Sequence, residues 1–253
     1  MTESPRTKLG SDEVHVWGVP TSDPPRPYGV LREILSPDER ARAEGFHFEA
    51  DRVRYVVARG SLRLLLGRYH RQDPSSLAFA YGKHGKPELG NPVDPEVVRF
   101  NVSHSGKWVL LGFTLGREVG VDVERIRPVP RLEKIAEERF TSAESRRLVG
   151  LPPDQRVRAF FSCWTRKEAC LKALGTGLYA RLDEVVVPPS AMVTPLQGVE
   201  DVPHRAGSWS VWGLVPARGY LGAVAVAHGT PRLLPGMWAG STGMGFWPDL
   251  EGP

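Results

Sequence analysis

The chain has 253 residues, with 33 Lys and Arg against 29 Asp and Glu, a formal charge of +4, 41% hydrophobic and 25% charged residues. This is the profile of a globular chain of one to two domains. It excludes a wholly disordered protein, a collagen-like fibre and a disulfide scaffold. The sequence pI of about 9.2 suits an acidic partner or a phosphate-rich ligand. No helix-turn-helix or zinc-finger spacing appears, so nucleic acid is not expected.

The longest near-continuous apolar stretch, Trp108 to Leu115, is far short of the ~20 residues a membrane-spanning helix needs. The opening MTESPRTKLGSDEV has no apolar signal region. Cys163 and Cys170 sit seven apart in a predicted helix, on the order of 10 Å between Cα atoms, too far for a disulfide. A reduced, cytoplasmic protein is expected.

Residues 1–13 are polar, without period, and read as disordered. Val14–Val19 alternates and reads as a strand. Pro20–Pro27 is a Pro-rich connector. Ser36-Pro37-Asp38-Glu39 predicts a helix start, with Ser36 as N-cap, Pro37 at the first position and Glu39 closing a capping box. A second helix is predicted over Glu49–His70 from the spacing of Val53, Val56, Val57, Leu64 and Leu65. Leu77–Tyr81 reads as a strand and residues 82–87 as a loop. Phe100–Ser103 and Trp108–Thr114 read as strands around a Ser-Gly turn, and Val119–Glu124 as another. Helices are predicted near 132–138, 142–149 and 155–174. Strands are predicted over Leu182–Val187, Ser208–Val215 and Tyr220–His228. Residues 229–253 hold six Gly and four Pro, a composition that predicts a tail without packed elements. A helix followed by a cluster of strands occurs in each half, which makes two similar lobes conceivable.

Three groups of residues could carry chemistry. In Val119-Gly120-Val121-Asp122-Val123-Glu124, strand alternation puts the valines on one face and Gly120, Asp122 and Glu124 on the other. Two carboxylates one strand-step apart suit Mg²⁺, which binds through one or two carboxylates plus phosphates and water; the alternative is a solvated acidic edge. The helix from Asp154, read as its N-cap, to Leu174 has Val157, Phe160, Phe161, Trp164 and Leu171 as its inward stripe and stops at Gly175. Glu168 falls four residues after Trp164 on that stripe, and Lys172 four after Glu168. Charges are seldom buried without partners, so the pair is either an i, i+4 ion pair or part of a site beside Asp122 and Glu124. Gly175-Thr176-Gly177 would admit a close backbone approach to a ligand. The third group is phosphate-compatible: Lys86 in Gly85-Lys86-Pro87, then Asn101, Ser103 and His104 in FNVSHSG, and Arg54. Ser103 and His104 are adjacent, but neighbouring strand residues face opposite ways and no Gly-x-Ser-x-Gly elbow exists, which argues against a serine hydrolase.

Taken together, GKP (85–87), FNVSHSG (100–106), VGVDVE (119–124) and WTRKEACLKALGTGL (164–178) resemble the 4'-phosphopantetheinyl transferases of the larger, Sfp-type class. The resemblance covers about residues 14–228. It implies an α/β fold of two similar lobes related by a pseudo-twofold axis, here 14–118 and 119–228, flanked by a disordered 1–13 and a 229–253 tail. It implies transfer of the 4'-phosphopantetheinyl group from coenzyme A to a serine of a carrier protein of fatty-acid, polyketide or peptide-synthetase pathways; the basic pI suits an acidic carrier, and a monomer is expected. Asp122, Glu124 and Glu168 match the Mg²⁺ ligands, and Lys172 the lysine on the phosphate under attack. Glu168 is also the implied base. Ser103, His104 and Lys86 match phosphate contacts, while Arg54, and more loosely Arg42, match basic residues near the nucleotide. Where relatives carry two lysines on the Ser36-Pro37 helix, this chain has Glu39, Arg40 and Arg42. A non-catalytic module that binds coenzyme A or a carrier on the same fold is the competing expectation.

Overall fold

The computed structural model describes residues 8–82, 85–89, 97–175, 181–187, 200–204, 207–227, 229–240 and 243–246. The chain forms a mixed α/β fold. Its strands are β1 (Glu13–Pro20), β2 (Phe79–Tyr81), β3 (Pro87–Leu89), β4 (Val98–Ser105), β5 (Trp108–Leu115), β6 (Val119–Arg125), β7 (Glu200–His204), β8 (Gly207–Leu214), β9 (Tyr220–Ala227), β10 (Arg232–Ala239) and β11 (Gly243–Phe246). Its helices are α1 (Tyr28–Glu33), α2 (Pro37–Glu44), α3 (Glu49–His70), α4 (Leu132–Arg139), α5 (Ser142–Val149) and α6 (Pro153–Leu174). One sheet has the order β11-β10-β1-β5-β4 and another the order β6-β9-β8-β7, while β2 and β3 pair as a separate hairpin.

Period-2 alternation sorts the core into layers. Trp17 and Val19 of β1 pack with α3, while Val14 and Val16 face the other way. There they meet Val119, Val121 and Val123 of β6 and Val224 and Val226 of β9. The far side of β9, with Ala223, Ala225 and Ala227, packs on α6. The order is therefore helix, sheet, sheet, helix, and Gly120, Asp122 and Glu124 fall on the α6 side of β6.

The helix pairs α2–α3 and α5–α6 share one construction. Each short helix has eight residues and opens with a capping box, closed by Glu39 or Glu144. Each ends at a glycine, Gly45 or Gly150, with φ −72° and ψ −10°. Each long helix has 22 residues and ends in a left-handed residue, Arg71 or Gly175. Arg63 pairs with Glu39 at 2.6 Å and donates to the carbonyls of Pro74 and Leu77. Lys167 pairs with Glu144 at 2.7 Å and donates to the carbonyls of Leu182 and Val185. In both halves a buried cation spends its donors on one carboxylate and on the turn after the long helix, which satisfies groups that burial would otherwise penalise.

The Glu39 cluster gives an acid-sensitivity prediction. Burial raises the Glu39 pKa, but hydrogen bonds from Arg63 and Arg59 outweigh it and hold the carboxyl below its ordinary 4.5. The unfolded chain thus takes up this proton at higher pH than the folded one. The stabilisation is complete above pH 4.5 and is lost as pH falls through the lower folded value. Urea titrations at pH 6 and below pH 4 are expected to show the gap between wild type and Glu39→Gln narrowing in acid; a constant gap would contradict this.

Several sequence readings need correction. Residues 229–253 are not a tail without packed elements: β10 runs parallel to β1, and β11 pairs with β10. Arg232 pairs with Glu13, and Trp238 is buried with Arg68 over its ring at 5.1 Å. Composition misled because β10 is held by backbone pairing with β1 and by two anchoring side chains. Leu182–Val187 is not a strand. It opens with a 3-10 turn, Leu182–Glu184, whose carbonyls turn inward to Lys167. Asp154 lies inside the first turn of α6, and Pro152 occupies the N-cap. Strands β3 and β7 and helix α1 escaped the sequence reading. Residues 1–7, Lys83, His84, Thr176, Gly177, His228 and Trp247 lie outside the described residues.

Candidate active site

Gly120 sets the site. A Cβ there would stand 2.0 Å from the Ala169 carbonyl oxygen and 2.4 Å from the Ala173 amide nitrogen. The bare glycine lets α6 lie directly on β6. Glu168 and Lys172, the residues just before Ala169 and Ala173, are thereby brought to the face that carries Asp122. Lys172 Nζ lies 2.6 Å from Asp122 Oδ1 and donates to Ser103 Oγ at 3.0 Å. Asp122 is buried, and its Oδ2 has no hydrogen-bond partner. Burial pushes the Asp122 carboxyl above its ordinary value, with Glu124 adding to the rise and Lys172 and Ser103 opposing it. Glu168 is also pushed up, first by burial, then by the charges of Asp122 and Glu124, against the pull of Lys172. Three carboxylates and one ammonium thus form a single electrostatic unit.

Glu124 accepts from Ser105 Oγ at 2.8 Å and from Arg127 at 3.0 Å, both on Oε2. Lys86 comes in from the hairpin, where Gly85 takes a φ of +78° and Pro87 opens β3. Its Nζ pairs with Glu118 at 2.8 Å and reaches the Ala173 carbonyl at 3.3 Å, one residue from Lys172. His104 is solvent-facing, and partial desolvation followed by repulsion from Arg54 and Lys172 lowers its pKa. Arg54 pairs with Asp51 on its own helix. Arg42 lies over the Tyr55 ring, 5.7 Å from its centroid. Glu39 is spent on Arg59 and Arg63, and Arg40 donates to the Glu33 carbonyl at 3.3 Å. Of the three α2 residues in question, Arg42 is the cation whose described contact is with an aromatic face alone.

Asn101 is buried and its Oδ1 accepts the Val121 amide at 2.9 Å, so its side chain serves β6. Sequence reasoning missed Ser105 and Glu118. The signal for Ser105 was present: Asn101, Ser103 and Ser105 repeat at period two in a strand whose other positions include Val98, Phe100 and Val102. Glu118 had no signal beyond standing next to β6.

Hard carboxylate oxygens and a buried, unpartnered Asp122 Oδ2 are the donors a divalent cation takes, so Asp122, Glu124 and Glu168 fit Mg²⁺ in chemistry. Among the described residues no three such side chains are gathered closely enough to enclose an ion. Lys172 holds the other Asp122 oxygen.

The profile of the 4'-phosphopantetheinyl transferase superfamily matches residues 118–220, and that of the 4'-phosphopantetheinyl transferase N-terminal region matches residues 24–114. The 4'-phosphopantetheinyl transferase HetI of Nostoc sp. is 38% identical over 227 residues, covering 90% of this chain and 93% of its own. The chain belongs to the 4'-phosphopantetheinyl transferase superfamily. The 4'-phosphopantetheinyl transferase Sfp of Bacillus subtilis is 29% identical over 154 residues, 61% of this chain and 66% of its own. A crystal structure of Thermotoga maritima holo-[acyl-carrier-protein] synthase matches 43% of this chain and 61% of its own at 24% identity, with a TM-score of 0.29. Within this transferase, the two profiles meet just before β6, the strand that carries the carboxylates.

Proposed function

We propose that this transferase moves the 4'-phosphopantetheinyl group of coenzyme A to a serine hydroxyl of an acidic acyl or peptidyl carrier protein. The products are holo carrier and adenosine 3',5'-bisphosphate. The observation that carries this reading is Asp122, with Lys172 2.6 Å from one oxygen and the other unpartnered, on the strand that Gly120 lets α6 and its Glu168 lie against.

Asp122, Glu124 and Glu168 would hold Mg²⁺, which when bound neutralises pyrophosphate charge and orients it. Lys172 is partly exposed on a long, flexible stem, which suits it to follow the phosphate under attack. Glu168, whose pKa is raised first by burial and then by the neighbouring carboxylates, is suited to accept the serine proton. The serine oxygen bonds to the attacked phosphorus, its proton passes to Glu168, and the phosphorus–oxygen bond to adenosine bisphosphate breaks. Catalysis of such a displacement is mostly positioning and charge neutralisation. Lys86, His104, Arg54 and Arg42 supply cations and donors for the nucleotide phosphates, while the Ser103 hydroxyl gives its proton to Asp122.

We infer two similar lobes, 14–118 and 119–228, supported by the shared construction of the two helix pairs. Strands β10 and β11 extend the sheet of the first lobe. We propose a cytoplasmic protein that acts as a monomer, a reading to which two cysteines buried within α6, Cys163 and Cys170, are suited. Among the described residues no helix is long and apolar enough to cross a membrane.

Intact-mass spectrometry of an apo carrier with this chain and coenzyme A tests the reading. A gain of one phosphopantetheine group with Mg²⁺, abolished by EDTA and restored by excess Mg²⁺, is the expected result. Transfer that is indifferent to EDTA would remove the metal from the scheme. No transfer to acyl, polyketide or peptidyl carriers would remove the activity.

A further inference from the structure

β4 and β6 are edge strands of two different sheets. An edge strand presents unpaired amides, and buried ones need partners. Here the partners are side chains. Asn101 Oδ1 accepts the Val121 amide at 2.9 Å, Ser103 Oγ the Val123 amide at 3.3 Å and Ser105 Oγ the Arg125 amide at 3.1 Å. Each bond joins residue n of β4 to residue n + 20 of β6. The result is a parallel ladder with side chains as rungs, and it fixes the register of β6 against β4.

The two serine rungs act twice. Ser103 Oγ donates to Asp122 Oδ1 at 3.0 Å, and Ser105 Oγ donates to Glu124 Oε2 at 2.8 Å. One hydroxyl thus takes the backbone amide of residue n + 20 and gives its proton to the carboxylate of residue n + 19. A hydroxyl can do both because it has one donor and two acceptor sites. The third rung meets Gly120 at the n + 19 position, where α6 leaves no room for a side chain.

The effect on the carboxylates is the same at both positions. Asp122 Oδ1 is pinned by Ser103 and Lys172, which leaves Oδ2 without a partner. Glu124 Oε2 is pinned by Ser105 and Arg127, and among the described residues none donates to Oε1. Each carboxylate has one oxygen held and one presented.

We propose that Ser105 is a positioning residue: its hydroxyl locks the Glu124 carboxylate and the β6 backbone together, so that Glu124 presents its free oxygen to the divalent cation. This rests on the transferase reading above. The described hydrogen bonds of the Ser105 hydroxyl are to Glu124 and from the Arg125 amide. Asp122 has its own serine and keeps its place without Ser105, so the effect is confined to Glu124 and to metal affinity.

The test titrates Mn²⁺ against wild type, Ser105→Ala and Ser105→Thr in the presence of coenzyme A, reading free Mn²⁺ by its electron paramagnetic resonance signal. Ser105→Ala is expected to weaken Mn²⁺ binding by about 10-fold, in the range usual for groups that orient metal ligands. Ser105→Thr keeps the hydroxyl and is expected to restore binding. Loading of an apo carrier is measured in parallel: the alanine variant should need about 10-fold more metal for half-maximal rate, while kcat at saturating metal stays near wild type. A merely structural role would lower the melting temperature and leave metal affinity unchanged. Equal Mn²⁺ affinity in wild type and Ser105→Ala, or no recovery with threonine, overturns the positioning role even if transfer is intact. A wild-type chain that binds Mn²⁺ and transfers nothing overturns the transferase reading instead, and the affinities still decide the role of Ser105.

Discussion

Asp122→Asn is expected to lower kcat/KM for carrier loading by about 10³-fold, while leaving the protein at least as stable as wild type. The size follows from charge. A carboxylate that holds a cation against a pyrophosphate supplies about 4 kcal/mol of charge stabilisation, and each 1.36 kcal/mol is a factor of ten. The stability half follows from the raised pKa of this group. Its folded pKa lies above the ordinary 3.8, so the folded state binds the proton more tightly than the unfolded one. Stability contributed by this group is present in acid and lost as pH rises through the folded value; at neutral pH its charge opposes folding. Asparagine is close in shape, can still accept from Ser103, and carries no charge. Lys172 is partly exposed and can turn its ammonium to water. Activity lost with stability kept or gained is the signature of a residue retained for chemistry. Transfer at the wild-type rate would remove Asp122 from the site. A large fall in melting temperature would mean that its pair with Lys172 serves the fold.

The features readable from sequence were those set by local periodicity. Alternation in VGVDVE separated the valines from Gly120, Asp122 and Glu124; in the fold the valines fill the core between the sheets and Gly120 lies against α6. Helix α3 was readable to its ends, Glu49 and His70, because apolar spacing and length agree there. The capping box at Ser36 and Glu39 was readable too, but not the second use of Glu39. As a sequence feature it closes a helix; in the fold it is the buried counter-ion of Arg59 and Arg63. That role depends on a partner twenty or more residues away, which no local pattern encodes.

What stayed hidden was long-range. Strand β10 pairs with β1 across most of the chain, and its Gly and Pro content argued against it. Ser105 was visible only as one of three small polar residues in β4. Its meaning needed the edge of a second sheet to be placed beside that strand. Asn101 shows the same thing from the other side. Its residue type suits a phosphate, yet its oxygen is committed to the Val121 amide. Residue type and family position suggested which side chains belong near the site; only the packing of β4, β6 and α6 separates those that face the ligand from those that hold the ones that do.

Gly120→Ala tests that packing directly. The position does not need glycine for a left-handed backbone; its φ is not among the positive ones. It needs glycine for space. An added Cβ would meet Ala169 oxygen at 2.0 Å, Ala173 nitrogen at 2.4 Å and Ala173 Cα at 3.0 Å. All three are backbone atoms, so no rotamer change relieves the contact. Helix α6 must move away from β6. Overpacking of a core costs about 1–3 kcal/mol, and a backbone-on-backbone clash belongs at the upper end, a fall in melting temperature on the order of 10 °C for a chain of this size. The same displacement carries Glu168 and Lys172 away from Asp122, and a misplacement of about 1 Å can cost 10²-fold in rate. The variant is therefore expected to lose both stability and transfer. Gly29→Ala is the control: a Cβ there meets nothing within 4 Å, and its melting temperature and rate should match or exceed wild type. If Gly120→Ala melts and transfers like wild type, α6 does not rest on β6 as described, and the convergence of Asp122, Glu168 and Lys172 fails with it.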